Sequence, residues 1–271
     1  MSPSRAFAGS AGRIVAALLR NLYLLRSSWP RLVDLAYWPT VQMIMWGLIT
    51  RYFSSQGGWA AGAAGVLIGA VLLWDILYRA QLGVSTGFME ELYARNLAQL
   101  FVSPLRPWEL AVALTLIALL RTVVGVGTAA LLAIALYQYS IFDLGLPFVA
   151  FFVNLMIFGW GIGLALCSAL MRWGLGVEGL AWASIFALAP VSGIYYPVAT
   201  LPAWAQPIAW ALPSSYVFEG LRAVLQTGQF DAGLWLRAFL LACLYLGAGF
   251  ALFLRAFEAA RERGQLLRVG E

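Results

Sequence analysis

Apolar runs of twenty or more residues recur along this chain, and between residues 107 and 137 only Glu109 and Arg121 carry charge. A hydrocarbon core of about 30 Å takes about 20 helical residues to cross. Inside it every backbone N–H and C=O must be satisfied within the protein, which leaves helices or a closed barrel. A barrel needs alternating segments of about ten residues, and the runs here are continuous. The expected fold class is therefore an all-α polytopic membrane protein. Composition agrees, with 62% hydrophobic residues, 11% charged residues and a mean hydropathy of +0.83, against about 25% charged in a soluble domain.

Six spans are expected, at 32–52, 59–82, 107–137, 146–171, 178–198 and 233–256. Together they form one transmembrane domain over 1–271. Residues 1–10 are small and polar and are expected to be disordered. Residues 11–27 read as an amphipathic helix lying in the interface, with Ile14, Val15, Leu18, Leu19, Leu22 and Leu25 on one face and Arg13, Arg20 and Asn21 opposite. The tail, 257–271, is polar and charged.

The net charge of +5 comes from seventeen basic residues, all of them arginine. It points to topology rather than to nucleic acid. With the N-terminus inside, thirteen arginines fall at or beyond the cytoplasmic ends of the spans, and only Arg51, Arg222 and Arg237 fall outside. That asymmetry places both termini in the cytoplasm. It also places the longest polar interruption, 83–106, on the cytoplasmic side.

That interruption is patterned. Phe88, Met89, Leu92, Tyr93, Leu97, Leu100 and Phe101 recur at helical spacing. Ser85 or Thr86 is placed to cap a helix start, with Glu90 and Glu91 in the first turn and Glu91 four residues from Arg95. Pro104 and Pro107 end it. A short amphipathic helix is expected there, a handle for a partner on the cytoplasmic side, with Phe88, Glu90, Glu91, Leu92, Arg95 and Phe101 as contact residues.

Ionisable groups inside spans are costly and mark pathways or pairs. Asp75 is expected to pair with Arg79 or Arg121, and Arg121 to face the bundle interior or a polar cavity. Residues 194–230 are too proline-broken for a span and too apolar for a plain loop. They read as two short helices, 202–211 and 214–226, with Pro213 opening the second, set as an outer re-entrant hairpin over 199–230. Tyr195, Tyr196, Glu219 and Arg222 are candidate pathway residues on it. Gly65 and Gly69, and Gly159, Gly161 and Gly163, mark tight helix packing.

Several chemistries are excluded. The chain has no lysine, hence no P-loop lysine, and no histidine to serve as base or metal ligand. No catalytic residue, metal or cofactor is assigned to it. Cys167 and Cys243 sit in apolar spans and read as small buried hydrophobes. A stand-alone secondary transporter or channel is the alternative, but it calls for broken helices in both halves, and only 194–213 is broken.

Two strings carry a family resemblance. The first runs from Glu91-Leu92 through Leu100 and Ser103-Pro104-Leu105 to Glu109-Leu110. The second contains Tyr196-Pro197, Leu201-Pro202-Ala203-Trp204, Leu212-Pro213 and Phe218-Glu219-Gly220-Leu221-Arg222. With the order of parts, they make the chain resemble the type-2 permease subunits of ABC transporters, mostly exporters. The resemblance implies a homodimer in the bacterial inner membrane. It implies two separate ATP-binding subunits that bind ATP and magnesium and each grip a coupling helix, and a large or amphipathic substrate such as a lipid, glycan or drug.

Overall fold

The computed structural model describes residues 3–27, 29–55, 59–94 and 105–263. Among these every regular element is helical. The α-helices are α1 (Pro3–Ser27), α2 (Trp29–Ser55), α3 (Trp59–Tyr93), α4 (Pro107–Tyr137), α5 (Leu146–Trp173), α6 (Glu178–Leu188), α7 (Gln206–Trp210), α8 (Pro213–Thr227) and α9 (Ala232–Arg263). Among the described residues four segments are long and apolar enough to cross a membrane: Val66–Tyr93, Pro107–Tyr137, Leu146–Val191 and Ala232–Glu262.

Helix α4 shows how local sequence sets the ends. Pro107 opens it, where a missing N–H costs nothing. The Glu109 carboxylate accepts the Arg106 backbone N–H at 2.9 Å. Gln138, in the left-handed region at φ 54°, closes it. At the head of α9, Asp231 caps by accepting the N–H groups of Gly233 and Leu234 at 2.8 and 3.0 Å.

Two buried clusters stack along the bundle. One gathers Leu72, Leu73, Ile76, Phe151, Phe158 and Phe218 against the middle of α8 and the first half of α9. The other gathers Phe88, Leu92, Leu114, Leu170, Phe253 and Phe257 at the opposite end. Between them α5 crosses its neighbours at glycines. A Cβ on Gly159 or Gly163 meets Ala80 or Val84 of α3, at 2.6 and 2.7 Å. A Cβ on Gly249 of α9 collides with the Gly161 carbonyl. The Gly159–Gly161–Gly163 run thus serves two crossings, one on each side of α5. Gly69 instead makes room for the Tyr139 ring hydroxyl, 2.6 Å from where its Cβ would be, and Gly65 lies among residues whose side chains are outside the described set.

Several sequence expectations are corrected. Ser85 and Thr86 do not cap a new helix. Their hydroxyls donate back to the carbonyls of Gln81 and Leu82, at 3.2 and 2.6 Å, and α3 runs on to Tyr93. Nothing between Trp59 and Tyr93 breaks a helix, so the first half of the polar stretch simply extends the span. Residues 3–10 are helical, opened by Pro3. The expected fifth span stops short. Helix α6 ends at Leu188 and a single 3-10 turn carries Pro190, because proline removes the N–H that the next α-turn needs. The two short helices of the proline-rich stretch are present as α7 and α8, and Pro213 does open the second. Cys167 is buried, but Cys243 is exposed on α9. A helix facing lipid carries apolar residues outward too, so apolar surroundings in sequence do not imply burial.

Candidate functional site

The end of α3 that leads into residues 95–104 is held to three neighbouring elements, by ion pairs to two of them and by a hydrogen bond to the third. Glu90 and Glu91 are adjacent, so their side chains leave the helix about 100° apart. Glu90 accepts from the Arg121 guanidinium of α4, with NH2 at 3.2 and 3.3 Å from its two oxygens. Glu91 pairs with Arg20 of α1. Tyr93, in the last turn, donates its hydroxyl to Glu178 at the start of α6.

Helix α1 is tied down a second time. Arg13 grips Glu109 through both carboxylate oxygens, Nε at 2.8 Å and NH2 at 2.5 Å, and the Glu109 side chain is fully buried. The hydrogen bonds to Glu109 hold the Arg13 guanidinium above its usual pKa range. Arg13 and Arg20 are two turns apart and share one face of α1. That face, with Ser10, Ile14, Leu18 and Asn21, is turned to the protein, while Val15, Leu19 and Tyr23 are exposed. The helix therefore docks through its arginines and turns much of its apolar stripe outward.

The expected handle residues divide. Phe88 and Leu92 are buried in the chain's own core, Phe88 edge-on to Phe253 at 6.2 Å between ring centres. Glu90 and Glu91 are engaged within the chain. Arg95 and Phe101 lie outside the described residues.

Of the intramembrane charges, Asp75 is buried and accepts from Arg79 Nε at 2.6 Å. Arg121 turns inward to Glu90 and Thr86, the latter at 3.4 Å, rather than to Asp75. The Arg79 guanidinium lies where a Cβ on Gly125 would sit, 2.6 Å away, one helical turn along α4 from Arg121. Arg79 and Arg121 line a cavity of about 450 Å³ whose wall also includes Gln42 and Thr86 and whose aromatic side is Trp38, Trp182 and Phe186.

At the far end, the Glu219–Arg222 pair is turned onto backbone. Glu219 accepts the Val198 N–H at 2.7 Å, and Arg222 donates to the carbonyls of Gly193 and Ile194. These groups hold the irregular segment after α6, where Gly193 takes φ 70°. Tyr195 stacks on Trp46 of α2 with ring centres 5.1 Å apart, and Tyr196 donates to the Pro190 carbonyl at 2.5 Å.

Sequence reasoning missed Arg13, Arg20 and Glu109 as a docking set. The signal was the seven-residue spacing of the two arginines, read as a solvent face. It also missed Gln81, fully buried, whose amide donates to the Ala181 carbonyl at 3.1 Å and ties α3 to α6.

A protein-family model described as ABC-2 type transporter matches residues 23–225, about three quarters of the chain. No curated protein matches it.

Proposed function

The chain belongs to the ABC-2 type transporter family as its membrane permease component, with ATP hydrolysis residing in separate subunits, and from that premise we propose how this copy is built and driven. It crosses the bacterial inner membrane six times with both termini in the cytoplasm. Helix α2 is the first pass, α6 with its following turn the short fifth, and α7 and α8 the outer re-entrant hairpin. Two copies pair around the path of an exported lipid, glycan or drug. Two ATP-binding subunits dock beneath them.

In this reading residues 94–105 make the contact, with Arg95 and Phe101 in the partner's groove. A helix in a groove is held by apolar anchors at helical spacing. Phe88, Glu90, Glu91 and Leu92 transmit the movement instead of meeting the partner. The observation that carries the reading is the split of two consecutive acids, Glu91 to α1 and Glu90 to α4. A push on the end of α3 then reaches an interfacial helix and a membrane span together, and Tyr93 adds α6.

The test is Phe101→Arg. The variant is expected to insert and fold normally, to lose co-purification with the ATP-binding subunit in mild detergent, and to lose ATP-dependent export. Export at the unsubstituted rate from that variant overturns the coupling role.

A further inference from the structure

The cavity between α2, α3, α4 and α6 is lined by polar groups and by aromatic rings. Its two arginines are each neutralised in place, Arg79 by Asp75 at 2.6 Å and Arg121 by Glu90 at 3.2 Å. Those carboxylates stand fifteen residues apart on α3, about 22 Å along its axis. The guanidinium groups therefore act at separate ends and offer no joint site for one anion. Among the described residues Arg79 donates only through Nε, to Asp75, so its terminal N–H groups are left for another acceptor. Gln42 of α2 lines the same space, with an amide that has no hydrogen-bond partner among the described residues. The aromatic lining is Trp38, Trp182 and Phe186, each exposed, with Tyr78 edge-on to Phe186 at 6.3 Å between ring centres.

This combination disfavours three ligand classes. A cation meets two guanidinium groups. An anion finds each of them already paired and must displace a carboxylate to gain charge-assisted bonds. A wholly apolar ligand takes water from the Gln42 amide and the Arg79 N–H groups and returns no hydrogen bond. What suits the space is a neutral ligand that donates and accepts around its edge and is apolar on its faces, which describes a sugar ring. Its C–H groups lie against the negative faces of aromatic rings, and its hydroxyls meet amide and guanidinium donors. About 450 Å³ is well within the range of small-molecule sites.

We propose that this cavity is a substrate-binding site for a short neutral glycan, its ring faces on Trp38, Trp182 and Phe186, its hydroxyls on Gln42 and, at separate points along the ligand, on Arg79 and Arg121. The inference rests on the permease reading and names the class of substrate that reading leaves open. The same sugar chemistry is offered by the headgroup of a neutral glycolipid and by a free oligosaccharide, and the test separates the two.

The test is binding to the purified full chain in a polyoxyethylene detergent, which carries no sugar, followed by native mass spectrometry with no ATP-binding subunit present. The probes are diglucosyl-dioleoylglycerol, dioleoylglycerol, dioleoyl phosphatidic acid and maltose. The glycolipid is expected to bind at least about tenfold tighter than dioleoylglycerol and than phosphatidic acid, a difference of about 1.4 kcal/mol. Gln42→Leu removes the amide at similar volume, and Trp182→Leu removes a ring that is already exposed. Both leave the two ion pairs intact, and each is expected to bring the glycolipid down toward dioleoylglycerol. If one of them does not fold, the other keeps the test decisive. Equal binding of glycolipid and dioleoylglycerol, or an undiminished preference in both folded variants, overturns the site. Phosphatidic acid binding as tightly as the glycolipid overturns the assignment to a neutral headgroup. Maltose binding as tightly as the glycolipid supports the site with a free glycan as its ligand, and weaker maltose binding supports it with a glycolipid. A chain that shows the sugar preference but recruits no ATP-binding subunit supports the site and overturns the permease reading instead.

Discussion

Glu90 and Glu91 are neighbours in sequence yet hold different helices, Glu90 the Arg121 of α4 and Glu91 the Arg20 of α1. One turn of α3 is thereby fixed to elements on two sides, just before the chain leaves for residues 95–104. Together with Arg13 on Glu109, the arrangement makes α1 part of the bundle rather than a separate float in the interface. These charges differ in their surroundings, and so in what each is worth.

Glu109 is the costly one to change. Its carboxylate is fully buried and accepts from Arg13 twice and from the Arg106 backbone once. Glu109→Gln loses charge-assisted bonds and leaves a cation facing a neutral amide, at about 2–3 kcal/mol. Arg20→Gln removes a cation that is nearly half exposed but leaves the buried Glu91 without its partner, so its cost lies between the roughly 0.2–1 kcal/mol of an exposed pair and the roughly 3–5 kcal/mol of a buried one. Thermal unfolding in one detergent is expected to show a clear drop for both variants.

The α5–α9 crossing is tight at Gly249. A side chain there collides with the Gly161 carbonyl, and backbone cannot move aside as a flexible side chain can. Gly249→Ala is expected to destabilise by about 1–3 kcal/mol, the usual cost of overpacking. Gly247, two residues away, has open space around its would-be Cβ. Gly247→Ala is expected to be neutral or to stabilise by up to about 1 kcal/mol, through helix propensity. Equal melting temperatures for the two variants contradict the crossing.

The contrast shows what was readable in advance. Long apolar runs, Pro107 and Pro213 at helix starts, and closely spaced glycines each report a local physical requirement, and the helices follow from them. The handle misled because apolar residues at helical spacing mark a buried face whoever buries it. Phe88 and Leu92 repeat at the right interval, but Phe253 and Phe257, more than 150 residues away, cover them. Arg13 and Arg20 misled in the opposite sense. A face with arginines reads as wet until Glu109 and Glu91 are known to stand opposite, and that pairing spans 96 and 71 residues. The cavity was half legible. An arginine amid apolar residues predicted an inward guanidinium for Arg121, but only the fold lays Arg79 over Gly125 of the same helix α4.

Leu92→Arg therefore separates fold from docking. Leu92 is buried at the end of α3, so a guanidinium there has no water and no assigned partner, at a cost of several kcal/mol. The variant is expected to express poorly and to melt early with or without an ATP-binding subunit. A Leu92→Arg protein as stable as the parent contradicts the burial.

Arg222 governs the segment after α6. It donates to the Gly193 and Ile194 carbonyls, while Glu219, one turn before it on α8, takes the Val198 N–H. The two carbonyls belong to no helix and the Val198 N–H is the free first donor of a 3-10 turn, so the two side chains satisfy what the proline-broken stretch cannot satisfy itself. Arg222→Met keeps much of the side-chain volume and removes the donors. It is expected to cost about 1.5–3 kcal/mol, the range for hydrogen bonds to charged groups, and to raise hydrogen exchange across 193–200 while leaving α4 and α5 unchanged. Glu219→Gln is milder, because the amide oxygen still accepts from Val198. Exchange in 193–200 that is unaltered by Arg222→Met shows that the segment is held by other contacts.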